Sequence, residues 1–225
     1  MFIVFLLIWA PASAGEITGS VSLKTADVPE RAKNTNPNRK RNIKKYGMKT
    51  LRQAQAGGKG GLPRNETVDE RDYVVVYLSR AKDGAKLKAT PKNVPVEQRE
   101  RRFFDHVTPV VLGSKVVFVN EDKFFHHIYC PDASNMNVPE HRGEVSRKPT
   151  KLGKLELFCD IHPLMNAYVY VVPNDSFAMA KSGKFAIKNV PAGDYVLKTW
   201  HPRLPGGSYP VTVPASGQAK VDVTL

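Results

Sequence analysis

The strongest constraint on this chain is a run of seven residues, Cys159 to Met165, that carries three side chains able to bind a soft metal ion. Cys159 offers a thiolate, His162 an imidazole and Met165 a thioether, at the spacing C-x-x-H-x-x-M. Thiolate and thioether ligands select soft or borderline transition metals, whereas zinc sites usually bring more Cys or His and no Met. A mononuclear site of this kind needs a second histidine, so the loop must meet another histidine-bearing segment in the folded chain.

The second histidine is predicted to lie just after residues 116–119, a strand-like run that ends in a polar turn before His126 and His127. Side chains alternate along a strand, so His126, Ile128 and Cys130 share one face and His127 lies on the other. This periodicity favours His126 as the ligand, while an exposed polar pair of histidines stays the alternative.

These residues resemble those of the cupredoxins, the family of plastocyanin, pseudoazurin and amicyanin. Residues 113–120 are similar to the family's strand "G-x-x-V-x-F-x-N", whose Asn lies six residues before the ligand His, as Asn120 does before His126. The run from Cys159 to Val171 is similar to the "C-x-I-H-P-x-M-x-A-Y-V-x-V" of plastocyanin-like proteins of methylamine utilisation. The resemblance covers roughly residues 95–172.

The resemblance implies one copper ion per chain, cycling between Cu+ and Cu2+, and a set of four metal ligands: His126, Cys159, His162 and Met165. Cys159 would be the thiolate, and Met165 the weak axial ligand. His162 would be the outer imidazole, nearest to solvent, and the exit for the electron. Asn120 is expected to tie the two ligand loops together by hydrogen bonds.

Other interpretations of single residues stay open at this point. A Cys130–Cys159 disulfide is an alternative to a metal site in an oxidising compartment. Met165 alone would fill a core. His201 is expected to be structural, and the two remaining histidines, His106 and His141, are expected at the surface.

Short valine-rich runs, 17 Pro, 16 Gly and no sustained helical period predict an all-β chain. The predicted strands are 17–23, 73–79, 108–112, 115–120, 126–129, 154–159, 167–172, 183–188, 193–201, 208–213 and 219–225.

The two ends of the chain resemble the halves of a carboxypeptidase-regulatory-like (transthyretin-like) β-sandwich. The closing half carries "G-x-F-x-I-x-x-V-P-x-G-x-Y-x-L" from Gly183 to Leu197. We therefore expect a cupredoxin Greek-key β-sandwich at 83–172, inserted between the halves 15–82 and 173–225 of a second small β-sandwich. A tandem of the two domains is the competing layout.

Residues 1–14 are predicted to be a signal peptide, because an apolar run too short to span a bilayer precedes the small-x-small site Ala12-Ser13-Ala14. No Lys or Arg precedes this run, so retention as an anchor stays open. The expected location is periplasmic or secreted.

A basic stretch, residues 30–66, contains eleven Lys or Arg and no acid between Glu30 and Glu66, in a chain of net charge +13. It is predicted to be a disordered loop, either a solvated insertion or a docking site for an acidic redox partner such as a dehydrogenase or a c-type cytochrome. Contact with a membrane surface is also open, and no feature of the sequence indicates nucleic acid.

The sequence favours a periplasmic type 1 (blue) copper protein that carries single electrons. A copper-delivery protein without redox turnover is the alternative, and a β-sandwich with a decayed metal site is a third. A copper enzyme is disfavoured, because four protein ligands leave no open position for a substrate.

Overall fold

The structure, a computed structural model, describes residues 14–24, 69–81, 86–162 and 165–225. Within these ranges the chain forms seventeen β-strands and two single-turn 3-10 helices, Glu70–Tyr73 and Ser134–Met136. The predicted all-β class is therefore confirmed. No helix in these ranges has the length and apolar character needed to cross a membrane. Apart from Ala14, the predicted signal peptide lies outside these ranges, as does the basic stretch 30–66.

Strands from the two ends of the described chain form one sandwich, which we call the terminal sandwich. Its strands are β1 (Ala14–Ser22), β2 (Val75–Ala81), β12 (Phe177–Met179), β13 (Lys184–Pro191), β14 (Gly193–Trp200), β15 (Ser208–Val213), β16 (Gln218–Lys220) and β17 (Val223–Thr224). One sheet has the order β13-β1-β16, with β17 beside β1, and the other has the order β12-β2-β14-β15. Each of the two sheets thus contains one strand from the beginning of the chain and several from its end. The domain boundaries predicted at 82/83 and 172/173 stay predictions.

The intervening strands form the inner sandwich. They are β3 (Asn93–Arg99), β4 (Arg102–Phe103), β5 (Val107–Val111), β6 (Lys115–Asn120), β7 (His126–Tyr129), β8 (Val138–His141), β9 (Gly143–Arg147), β10 (Gly153–Cys159) and β11 (Asn166–Val172). Its two sheets have the orders β5-β11-β10-β7-β8 and β4-β3-β6-β9.

Four of these strands, β3, β4, β8 and β9, were not predicted from the sequence, and each carries polar or proline residues. Pro95 lies in the middle of β3, where β6 is the paired neighbour and β4 pairs only with the strand's last two residues. Proline is tolerated where one side of a strand has no ladder to complete. Strand β9 is polar because it forms the edge of its sheet and is largely exposed.

Alternation along β10 and β11 places the core. Leu155, Leu157 and Cys159 of β10 point into the core of the inner sandwich, together with alternate residues of β11. The other face of β11, with Tyr170 and Val172, packs in a separate apolar cluster with residues of the terminal sandwich. Strand β11 is therefore buried on both faces and joins the two sandwiches.

Among the described glycines of the terminal sandwich, Gly19 of β1, which lies opposite Phe185 of β13, leaves the least room for a side chain. A Cβ at this position would overlap the carbonyl oxygen of Val221 and lie 2.8 Å from Cζ of Phe185. The Val221 N–H donates to the carbonyl of Thr18 at 2.9 Å, so this backbone has little freedom to move away.

We predict that Gly19→Ala lowers the free energy of unfolding by about 1–3 kcal/mol, the usual cost of forcing extra volume into a packed site. Chemical denaturation measures it. The exposed Lys184→Ala, on the neighbouring strand, is the control and should change stability by less than about 0.5 kcal/mol. An equally stable Gly19→Ala protein would contradict the close approach.

Candidate metal centre

Three buried donor atoms converge at one end of the inner sandwich. Sγ of Cys159 lies 3.6 Å from Nδ1 of His126 and 3.6 Å from Nδ1 of His162, and the two nitrogens are 3.1 Å apart. Strands β7 and β10 bring them together, because Cys159 pairs with Ile128, two residues beyond His126 on the same face. Residues separated by more than thirty positions thus share one site.

The separations fit donors of a single metal ion. Two ligand atoms bound to one ion at about 2.0–2.3 Å stand roughly 3–4 Å apart. Within the described ranges, His126, Cys159 and His162 are the group of His, Cys, Asp or Glu side chains that meets this spacing, and all three are buried. Met165, 1% exposed, belongs to the same core cluster as Cys159. Two imidazoles, one thiolate and a nearby thioether are the donor set of a type 1 copper site.

The loop that follows Cys159 is closed by main-chain hydrogen bonds. The N–H of Cys159 donates to the carbonyl of Met165 at 3.3 Å, and the N–H of Met165 donates to the carbonyl of His162 at 3.0 Å. The N–H of Asp160 donates to the carbonyl of His127 on β7 at 2.9 Å. These bonds return Met165 to the core beside Cys159 and hold the loop against the strand that carries His126.

Asp122 fixes the orientation of His126. Nε2 of His126 donates to Oδ2 of Asp122 at 2.8 Å, which leaves Nδ1 facing the cluster with its lone pair. The same carboxylate accepts the N–H groups of Glu100 and Arg101, at 2.8 and 3.0 Å. Burial alone would raise the pKa of Asp122, but these hydrogen bonds hold it below its usual range, so the carboxyl group is ionised.

Asn120, at the end of β6, organises the turn that carries Asp122. Its Nδ2 donates to the carbonyls of Phe124 and His141, both at 2.9 Å, and its Oδ1 accepts the N–H of Asp122 at 2.9 Å. The bonds of Asn120 to described residues therefore join the His126 loop to β8. They do not reach the loop of Cys159, contrary to the expectation that Asn120 ties the two ligand loops together.

Burial sets the protonation states of the donors. It lowers the pKa of His162 to about 3, and it also lowers the pKa of His126. Both imidazoles are therefore neutral at neutral pH, as metal binding requires. Burial raises the pKa of the Cys159 thiol to about 11, so a bound metal must displace the thiol proton.

Phe124 covers the two imidazoles. Its ring centroid lies 5.4 Å from that of His126 and 5.3 Å from that of His162, and the guanidinium of Arg101 lies over it at 4.9 Å. His162 is the more exposed imidazole, but at 7% it is still buried, against 0% for His126. Neither Phe124 nor Asp122 was predicted from the sequence as part of the site. For Asp122 the available signal was its position, four residues before the ligand histidine His126.

The two cysteines are both free and buried, so the alternative of a Cys130–Cys159 disulfide is wrong. Cys130 lies in the core of the inner sandwich on the same strand face as His126, as the periodicity predicts. Its side chain behaves as a small apolar group.

The remaining histidines contribute no ligand atom to the donor cluster. Nε2 of His127 is 3.8 Å from Oδ2 of Asp160, on the opposite face of β7. His141 is 7% exposed and its Nδ1 lies 3.1 Å from the carbonyl of His126, so the expectation that it lies at the surface is wrong. His106 is half-buried against Tyr73. His201 is buried, and its Nδ1 accepts two main-chain N–H groups.

Comparison with known proteins gives structural neighbours only. No protein-family model matches the chain, and no curated protein matches it. A Cu-containing nitrite reductase from Thermus scotoductus is 29% identical over 39% of this chain and 24% of that chain, with a TM-score of 0.33. A reduced variant of amicyanin is 18% identical over 44% of this chain and 98% of that chain, with a TM-score of 0.32. A purple cupredoxin from Nitrosopumilus maritimus is 17% identical over 36% of this chain and 98% of that chain, with a TM-score of 0.31.

These matches cover less than half of this chain, and the chain spans about a quarter of the nitrite reductase. The description of residues 93–172 as a cupredoxin-like β-sandwich therefore depends on their own features. These are two facing sheets, an Asn120–His126 approach segment, and a closed loop from Cys159 to Met165 at one end.

We predict that Asp122→Asn lowers the affinity for copper about 10- to 100-fold, because removing the partner of a ligand imidazole loosens its orientation and its tautomer. Competition with a chelator of known affinity measures it. The exposed neighbour Glu121→Gln is the control and should bind copper as the native chain does. Equal affinities of the two variants would mean that Asp122 does not support the site.

The protonation states predict how affinity depends on pH. Between about pH 7 and pH 9 the apparent Cu+ affinity should rise about tenfold per pH unit, since binding releases the proton of a thiol whose pKa is about 11. The imidazoles release none in this range because burial lowers their pKa values, that of His162 to about 3. Chelator competition across pH measures the slope. A flat profile would exclude Cys159 as a ligand, and a slope near two would show that an imidazole also loses a proton.

Proposed function

We propose that this chain binds one copper ion through His126, Cys159, His162 and Met165 and carries single electrons between redox partners. The observation that carries the proposal is the convergence of two Nδ1 atoms and one Sγ atom within 3.6 Å, buried beside a methionine. Copper held by such donors alternates between Cu+ and Cu2+, which supplies one-electron transfer.

The chain contributes a rigid and dry donor set. Cys159 and His126 lie on paired strands. His162 and Met165 are held by the main-chain hydrogen bonds that close the loop after Cys159. Exposures of 0%, 0% and 7% for Cys159, His126 and His162 exclude water from the donors. Donors that move little between two oxidation states favour rapid electron transfer.

Burial also favours a carrier over a copper-delivery protein, the alternative function. A delivery site must present its ligands to a partner that takes the ion away. Here Phe124 covers both imidazoles and Cys159 has no exposed surface. Four donors from the chain leave no position for a substrate, which argues against an enzyme.

The surface around the site supports an acidic redox partner. The loops 99–104, 121–125 and 141–143 meet at one edge, because Gln98, Asn120 and Gly143 are aligned across β3, β6 and β9. Three arginine–phenylalanine pairs rim this edge, with guanidinium-to-ring distances of 3.7, 4.9 and 4.5 Å: Arg99–Phe104, Arg101–Phe124 and Arg142–Phe125.

Phe104 and Phe125 are 48% and 46% exposed, so the rim offers apolar contact area together with positive charge. We infer that a dehydrogenase or a c-type cytochrome with an acidic docking face binds here, assisted by the basic stretch 30–66. The signal-like segment 1–14 supports a periplasmic or secreted location for this exchange.

The test is to load the purified protein with copper and record its visible and paramagnetic resonance spectra. A carrier should show an intense thiolate-to-copper band and reversible one-electron redox. Cys159→Ser should abolish the band and most of the affinity, because a hydroxyl oxygen is a hard donor that does not replace a thiolate.

The adjacent histidines provide a matched pair of variants. His126→Asn should lose the colour, and His127→Asn should keep it, because His127 lies on the opposite face of β7. A strongly coloured Cys159→Ser protein would contradict the ligand set. Colourless protein that binds and rapidly releases Cu+ would favour delivery instead.

A further inference from the structure

Four aromatic rings form a continuous series across the boundary between the two sandwiches. We call this series the aromatic ladder; its members are Tyr168 and Tyr170 of β11, Trp200 of β14 and Tyr77 of β2. Trp200 stacks on Tyr170, with centroids 4.4 Å apart and planes at 18°, and meets Tyr168 edge-on at 5.9 Å. Tyr77 lies 5.6 Å from Tyr170, with their hydroxyl oxygens 3.0 Å apart.

A proton acceptor, the carboxylate of Glu156, lies at the end of the ladder nearest the metal site. The hydroxyl of Tyr168 donates to Oε1 of Glu156 at 3.0 Å, and Asn166 donates to the same oxygen at 3.1 Å. Burial raises the pKa of the Tyr168 phenol, so it keeps its proton and remains the donor. A phenol is oxidised more easily when a carboxylate can accept its proton, and Tyr168 is the ladder tyrosine that donates to one.

The same end lies close to the thiolate. Glu156 pairs with Tyr168 across β10 and β11, and Cys159 is three residues further along β10. At a rise of about 3.3 Å per residue this places Tyr168 roughly 10 Å from Cys159 along the sheet. Strand β11 thus carries the core contacts of the metal site on one face and two rings of the ladder on the other.

Part of the ladder is open to small reagents. Trp200, which lies between Tyr168 and Tyr170, is half-buried, as are Tyr77 and Tyr168. Among uncharged side chains, indole and phenol are the groups that lose one electron most readily. Packing alone explains stacked rings, but it does not require a carboxylate base on the phenol nearest to the metal ligands.

We propose that the aromatic ladder is a radical relay that carries an oxidising equivalent from Trp200 to Tyr168 and on to the metal site. The reaction partner is a strong one-electron oxidant. It takes one electron from Trp200 and leaves an indole radical cation. Tyr168 then gives one electron to Trp200 and its phenolic proton to Glu156, which restores the indole.

The second half of the relay rests on the proposed copper function. With copper bound at the site, the Tyr168 radical would take one electron from Cu+ and regain its proton from Glu156, which would leave Cu2+. Each step moves one electron and the proton returns to its origin, so the side chains are restored. Tyrosine is harder to oxidise than copper in such a site, so the relay runs towards the metal and protects the interface from oxidation.

The first experiment uses metal-free protein and a photogenerated ruthenium(III) tris-bipyridine oxidant. The sequence contains two tryptophans, Trp9 and Trp200. All variants are made in a protein that carries Trp9→Phe, so that any indole radical forms on Trp200. Flash oxidation should produce an indole radical that decays as a tyrosyl radical rises at the same rate. Tyr168→Phe and Glu156→Gln should each slow this rise about tenfold or more.

Tyr209→Phe is the matched control, because Tyr209 lies in the terminal sandwich, outside the ladder, and donates to a main-chain carbonyl. It should leave the rate unchanged. Unchanged rates in both Tyr168→Phe and Glu156→Gln would overturn the relay. Far-ultraviolet circular dichroism and melting curves verify that each variant is folded. The exchanges of Tyr for Phe keep the aromatic ring, and Glu156→Gln keeps the shape of the side chain.

The second experiment repeats the flash on protein loaded with Cu+. The Tyr168 radical should disappear at least about tenfold faster than in metal-free protein, and the Cu2+ colour should rise with the same time course. A radical that persists as in metal-free protein would overturn the coupling to the metal. A chain that binds no copper would refute the proposed function, while the metal-free experiment would still decide the relay between Trp200 and Tyr168.

Discussion

The metal centre depends on the pairing of β7 with β10. That register places Cys159 beside Ile128 and so turns its thiol and the imidazole of His126 into the same core. A shift of one residue would turn one of the two donors to the opposite face, since strand side chains alternate. The closed loop from Cys159 then needs only to bring His162 and Met165 back to the site.

Burying three polar donors is costly unless they are paired, and the fold meets this cost in two ways. Asp122 takes the outer nitrogen of His126, and its own charge is compensated by the N–H groups of Glu100 and Arg101. The inner nitrogens and the thiol face one another, where a metal ion would satisfy all three at once. Metal binding and stability of the inner sandwich are therefore coupled.

Strand β11 links this site to the rest of the molecule because both of its faces pack in apolar clusters. Ala167, Val169 and Val171 pack in the core that contains Cys159. Tyr170 and Val172 pack in the cluster shared with the terminal sandwich. The cluster shared with the terminal sandwich is therefore built on the strand that directly follows the donor loop.

The sequence by itself determined the all-β class, the spacing of Cys159, His162 and Met165, and the choice of His126 over His127 as the buried histidine, because these follow from local order and from strand periodicity. In the inner sandwich it missed β3, β4, β8 and β9, whose polar and proline residues are accommodated by sheet edges and half-paired positions. Asp122, Phe124 and the buried position of His141 were also decided by tertiary structure alone. They depend on distant backbone, such as the N–H groups of residues 100 and 101, that only the packed sheets bring to the site.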